Sequence, residues 1–136
     1  MQFVDTNILF YAAGLHPESP EKAEVALSML SSRETLAISV QVLQEFFDKS
    51  TRRARHSRLS DDEAIAFLNT LRTLEIVPLT AALFDQAIAI KRRTNFRYWD
   101  CAIIAAALSL GCDTLYSEDM QHGQIIDGLT IINPFL

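Results

Sequence analysis

Four acidic residues stand where chemistry is possible: Asp5 in VDTN, Glu45 in VLQEFF, Asp100 in YWDCAII and Asp119 in YSEDM. Asp100 raises the sharpest question. The stretch from Tyr98 to Asp113 reads as a helix apolar nearly all round, closed by Gly111, and such a helix is expected to be buried. An unpaired carboxylate in apolar surroundings takes up a proton rather than stay charged, and the helix dipole returns only up to ~1 kcal/mol at an exposed first turn. Either the helix end reaches water or a cation holds the charge, and the cation is the better reading. Oxygen ligands without sulfur or paired histidines suit a hard ion such as Mg2+ or Mn2+. Such an ion binds through a few carboxylates, keeps several waters and takes phosphate oxygens as further ligands.

The other acids have plainer explanations beside this one. Asp5 suits the N-cap of the ILFYAAG helix. Glu45 lies off the centre of the apolar stripe of Val42, Leu43, Phe46 and Phe47, where a solvated side chain is ordinary. Asp119 fits an Asx-turn or cap, and its neighbour Glu118 is either surface charge or an outer ligand.

Whether these acids meet depends on the elements that carry them. Short β-like runs, FVD, LAIS at 36–39, IVPL at 76–79, TLYS at 114–117 and LTIIN at 129–133, alternate with helical segments. The helices have legible ends: Ser19 before Pro20, Ser60 with Glu63 as a capping box, and Thr80 ahead of AALFDQAIAIKRR. This βαβα order predicts an α/β fold, a mainly parallel sheet with helices on both faces. Ligands in such sheets bind beyond the carboxyl ends of the strands. Asp5, Glu45 and Asp119 follow the first, second and fourth strands, and Asp100 opens the helix leading into the fourth. All four can converge there.

Composition bounds the rest. The 136 residues, 49% hydrophobic and 21% charged, suit a single domain over 1–136 with ordinary globular usage. The longest apolar run, 101–108, is far short of the ~20 residues of a membrane span, and an acid stands where a signal peptide carries bases, so a cytoplasmic protein is expected. Cys101 and Cys112 lack metal-ligand spacing and read as reduced, buried thiols. Net charge is −5, yet five of the twelve basic residues fall within 49–58 and four within 91–97. That grouping favours nucleic-acid contact, led by Arg52, Arg53, Arg55 and Arg58, then Arg92, Arg93 and Arg97. Tyr98 and Trp99 have faces that could stack on a base, but beside an apolar helix core packing is the expectation. His122, three residues beyond Asp119, could touch substrate or metal, but a lone His in a turn is more often at the surface or structural.

The set VDTNILFYA, SVQVLQEFF, YWDCAIIAAAL and LYSEDMQHG, followed by LTIINPF, resembles the PIN-domain ribonucleases, and most of all the VapC-type toxins of toxin–antitoxin pairs. The likeness runs along the whole chain in order. It implies a three-layer PIN-like sandwich with strand order 3-2-1-4-5, a site of one or two divalent ions held by Asp5, Glu45, Asp100 and Asp119, and supporting roles for Asn7 and Ser117. Many members carry Thr where Ser117 stands. The resemblance also implies hydrolysis of RNA to 5′-phosphate and 3′-hydroxyl ends, a homodimer, and a small antitoxin lying over the site. Leu9, Phe10, Tyr11, Phe46 and Phe47 could furnish surfaces for those partners or belong to the core. Two rival readings stand beside it: an Mg2+-dependent phosphotransfer or phosphatase domain, which would need a Lys at a later strand end that this chain lacks, and a non-catalytic RNA-binding module.

Overall fold

The computed structural model describes residues 1–32, 35–53 and 55–136. Six strands, β1 (Gln2–Val4), β2 (Leu36–Ser39), β3 (Glu75–Val77), β4 (Thr114–Tyr116), β5 (Ile125–Ile126) and β6 (Leu129–Ile132), form one sheet in the order β3-β2-β1-β4-β6-β5. Every pairing is parallel except β5 with β6. The five expected strands thus take the order 3-2-1-4-5, and a sixth, two-residue strand is added at one edge. That strand is too short to show any periodicity, but its turn was written in the chain: Asp127 and Gly128 have φ of 50° and 87°, the two left-handed residues a tight hairpin of this twist requires.

Six helices cover the sheet: α1 (Thr6–Ala12), α2 (Pro20–Leu30), α3 (Val40–Ser50), α4 (Asp61–Asn69), α5 (Ala81–Thr94) and α6 (Tyr98–Ser109). The Ser60–Glu63 capping box forms in both directions, and Thr80 accepts from the Leu83 N–H. Ser19 precedes Pro20 as expected, but its side chain makes no cap bond, so proline alone fixes that start. In α6, every residue from Cys101 to Ala107 is buried against β2, β4 and β6, with α5 packed alongside. Gly111, at φ 69°, ends this segment by the left-handed turn that glycine adopts without penalty. Both cysteines are free and buried.

The core is built from Phe3, Val4, Ile8, Leu9, Ile38, Phe46, Ile104, Leu115 and Leu129, all fully buried. Leu9, Phe10, Tyr11 and Phe46 therefore belong to this core, and Phe47 packs partly buried against it. Among the described residues no helix is long and apolar enough to cross a membrane.

Candidate active site

Strand register decides where the acids go. Val4 of β1 pairs with Tyr116 of β4, so the next residues, Asp5 and Ser117, leave the sheet side by side, and the Asp5 N–H donates to the Tyr116 carbonyl at 3.0 Å. The Ser117 hydroxyl donates to Asp5 Oδ2 at 2.9 Å. Asp5 also caps α1, its Oδ1 accepting from the Thr6 N–H at 2.7 Å. The cap role and the site role therefore fall on the two oxygens of one carboxylate.

Asn7 ties the strand ends together. Its Nδ2 donates to Asp119 Oδ2 at 3.1 Å and, at 3.4 Å, to Asp5 Oδ2 and Ser117 Oγ, while its Oδ1 accepts from the Glu118 N–H at 3.1 Å. Glu45 is held from two sides: Thr6 Oγ1 donates to its Oε2 at 3.1 Å and Gln41 Nε2 to its Oε1 at 2.8 Å. It is not the solvated residue its helical position suggests, because α3 turns the face bearing Gln41, Glu45, Asp48 and Lys49 toward α1 and the start of α6. Asp100, in the first turn of α6, reaches the same space from the opposite wall, with Arg97 Nε 3.6 Å from its Oδ2.

These residues line one cavity of about 470 Å³ holding five carboxylates, Asp5, Glu45, Asp48, Asp100 and Asp119, and two cationic side chains, Lys49 and Arg97. The electrostatic consequence is plain at Asp5. Burial pushes its carboxyl up to about 6, and the nearby charges of Glu45 and Asp119 push the same way against the Thr6 and Ser117 hydrogen bonds. Asp100 is also raised, by burial first and by Asp119 and Glu45, with Arg97 opposing. Among the described residues no three His, Cys, Asp or Glu side chains converge tightly enough to cage an ion. The four carboxylates expected from sequence thus line one cavity but do not close into a cage. Such an open, all-oxygen set fits a hydrated Mg2+, which takes one or two carboxylates and keeps its waters.

Reasoning from sequence missed Thr6, Gln41 and Asp48. The last two lie at i−4 and i+3 from Glu45 and share its helix face, a signal available once Glu45 was suspected. Glu118 points elsewhere: its Oε1 accepts from Tyr11 Oη at 3.0 Å and from Lys22 Nζ at 3.1 Å. His122 Nδ1 accepts from the Asn133 N–H at 3.0 Å, a structural role as expected.

The arginines separate. Arg97 lines the acidic cavity; Arg55 lies over the Phe10 ring and lines an adjoining hollow with His16 and Lys49. Arg52 pairs with Asp48 at 2.6 Å. Arg93 is bound instead to Asp127 beside the β5–β6 turn, in a hollow that contains none of the five acids. Arg53, Arg58 and Arg92 are exposed on the surface. Trp99 departs from expectation: it is 60% exposed rather than packed in the core.

A parallel sheet with acids gathered beyond β1, β2 and β4 defines the class, and the sequence agrees: residues 3–125 match the PIN domain model. The chain belongs to the PIN domain family. Three solved structures share its fold. Mycobacterium tuberculosis VapC20, a sarcin–ricin loop cleaving toxin, is 19% identical with a TM-score of 0.68 over 88% of this chain and 90% of its own. A toxin–antitoxin complex from Klebsiella pneumoniae is 17% identical with a TM-score of 0.69 over 98% of each chain. VapBC2 from Rickettsia felis, bound to a DNA fragment from its promoter, is 22% identical with a TM-score of 0.66 over 96% of each. Comparison with curated proteins finds no match.

Proposed function

We propose that this protein is a Mg2+- or Mn2+-dependent endoribonuclease, the toxin of a cytoplasmic toxin–antitoxin pair, working as a homodimer restrained by an antitoxin. The observation that carries the reading is the imbalance of the cavity, where five carboxylates face Lys49 and Arg97, with Arg52 paired to Asp48, so that negative charge stays in excess. An acid group this crowded costs stability unless cations occupy the space, and phosphate approaches it only once the charge is offset. Membership of the PIN domain family and the likeness to a sarcin–ricin loop cleaving toxin support RNA as substrate; the two toxin–antitoxin neighbours support an antitoxin partner.

Asp5, Glu45, Asp100 and Asp119 would hold one or two ions. A bound divalent cation supplies the charge that neutralises phosphate and acidifies water. The protein's own part is positioning. Asn7 fixes Asp5 and Asp119 relative to each other, and Thr6 and Gln41 fix both oxygens of Glu45. Asp5, protonated about half the time near pH 6, gives up that proton as its charge is offset. In the reaction a water oxygen attacks phosphorus and the bond to O3′ breaks. The water's proton passes to a carboxylate, the departing O3′ takes one from solvent, and 5′-phosphate and 3′-hydroxyl ends result. No protein nucleophile is used. The receiver-type and phosphatase-type reading loses ground because neither cation of the cavity, Lys49 on α3 or Arg97 ahead of α6, stands at a later strand end.

The test is cleavage of a cellular RNA pool with Mg2+ or Mn2+ by wild type and by Asp100→Asn purified identically. Wild type should cut only with metal, and the folded variant should lose activity on the order of a hundredfold or more. Equal cutting by both would overturn the assignment.

A further inference from the structure

Beside the acidic cavity, and sharing Gln41, Gln44 and Trp99 with it, lies a second hollow of about 380 Å³ whose remaining walls, Thr80 apart, are apolar, chiefly Leu79, Phe84 and Tyr98. Three of these apolar side chains are exposed side by side: Leu79 is 62% exposed, Phe84 52% and Trp99 60%. Grouped apolar exposure of this kind marks a surface that receives something. The three rings form a continuous series, Phe84 to Tyr98 at 6.0 Å between centroids and Tyr98 to Trp99 at 5.0 Å in an edge-to-face arrangement. The Trp99 backbone carbonyl accepts from Gln41 Nε2 at 3.4 Å, and the same amide holds Glu45 at 2.8 Å, so the main chain at Trp99 and the Glu45 carboxylate are tied through one side chain.

We propose that this hollow takes one unpaired nucleobase of the RNA, next to the phosphate being cut, and so sets the preference for the base at that position. This rests on the nuclease reading above. Three observations point to a base as the occupant. The hollow shares Gln41, Gln44 and Trp99 with the acidic cavity, so its occupant lies one side chain away from the group that cavity receives. Aromatic and aliphatic walls offer the π-face contact that any base accepts. The rim carries the exposed amide of Gln44, one donor and one acceptor suited to a base edge.

Trp99 is the single tryptophan of the chain, so its emission reports on this hollow and on the acidic cavity that shares it, and ribose 5-phosphate, which lacks a base, separates the two. With Asp100→Asn protein, so that RNA is not consumed, binding of a labelled single-stranded RNA of mixed sequence is followed by anisotropy and by Trp99 emission together. Emission should change in step with binding, and should change with at least one of the four nucleoside 5′-monophosphates but not with ribose 5-phosphate. In otherwise wild-type protein, Trp99→Ala should weaken RNA binding about tenfold and alter which bases flank the cut ends, whereas Trp99→Phe should retain most of the affinity. RNA bound and cut with unchanged Trp99 emission, and with the same cut-site bases in Trp99→Ala, would overturn the base pocket while leaving the nuclease intact. Failure of the protein to bind any RNA would overturn both. An emission shift that follows protein concentration without RNA, matched by dimer formation in sedimentation, would assign the hollow to a second copy and overturn the proposal.

Discussion

Glu118 and Asp119 are neighbours in sequence and opposites in circumstance. Glu118 turns toward α1 and α2, where Lys22 supplies a cation at 3.1 Å that also lies over the Tyr11 and Phe135 rings, and where Tyr11 donates a hydrogen bond. Asp119 turns toward Asn7 and four further carboxylates. One acid has a protein cation and completes a packed cluster; the other joins a group whose charge the protein leaves unbalanced. The difference teaches how to tell a structural acid from a functional one here: Glu118 is met by a cation packed among aromatic rings, whereas the side-chain oxygens of Asp5 and Asp119 are fixed by uncharged donors from Thr6, Ser117 and Asn7.

The strongest way to break this contrast is through pH. Asp5 is fully buried, and its carboxyl lies at about 6 against 3.8 in the unfolded chain. The folded protein therefore binds more protons than the unfolded chain between those values, so Asp5's contribution is fully present below pH 4 and is lost as pH rises through 6. About two units correspond to about 3 kcal/mol. Measured by denaturant unfolding, Asp5→Asn should gain on wild type by roughly that amount between pH 4 and pH 7. Mg2+ should raise the wild-type Tm at pH 7 and leave the variant nearly unchanged. A difference that stays flat with pH would mean that Asp5 is simply a cap, with no burden to relieve.

Much of this arrangement was legible in the sequence, because strand ends and helix starts carry short-range signals. The five strands, the capping box at Ser60, the Thr80 cap and the place of the four acids all follow from local pattern and the rule that βα loops lie at one edge of a parallel sheet. What stayed hidden depended on which way a helix faces. Glu45 sits at the margin of an apolar stripe, and no one-dimensional pattern says whether that margin meets water or a neighbouring helix. Trp99 failed for the converse reason: α6 is apolar all round, but its first turn projects beyond the sheet. Arg93 and Arg97, four residues apart across the end of a helix, were indistinguishable until Asn95 at φ 64° turned the chain between them.

A smaller effect tests the structural half of the comparison. Lys22→Met keeps the stem that packs on Tyr11 and Phe135 but removes the charge facing Glu118, whose Oε2 is buried and already lacks a partner. Leaving a partly buried carboxylate with only the Tyr11 hydroxyl is unfavourable. The Tm should fall by a few degrees, while cleavage per folded molecule stays within about twofold of wild type, the ordinary scatter of a change outside the site. A large loss of activity at unchanged Tm would place Glu118 in the site after all.

The smallest effects separate the two arginines. Arg93 and Asp127 form a two-pronged pair, but both are half-exposed and salt screens such pairs. Arg93→Ala should change neither Tm nor RNA affinity measurably at moderate salt. Arg97→Ala acts on the cavity itself, and its two consequences run in opposite directions. Losing a cation beside the RNA path should weaken RNA binding and lower its salt slope by about one phosphate contact. Losing the cation beside Asp100 leaves that carboxylate without its nearest counter-charge, so Mg2+ should bind more tightly, as titration calorimetry of the two proteins would show. Weaker binding of both would mean that Arg97 merely holds Asp100 in place, and the cavity would then be short of one more cation than its structure suggests.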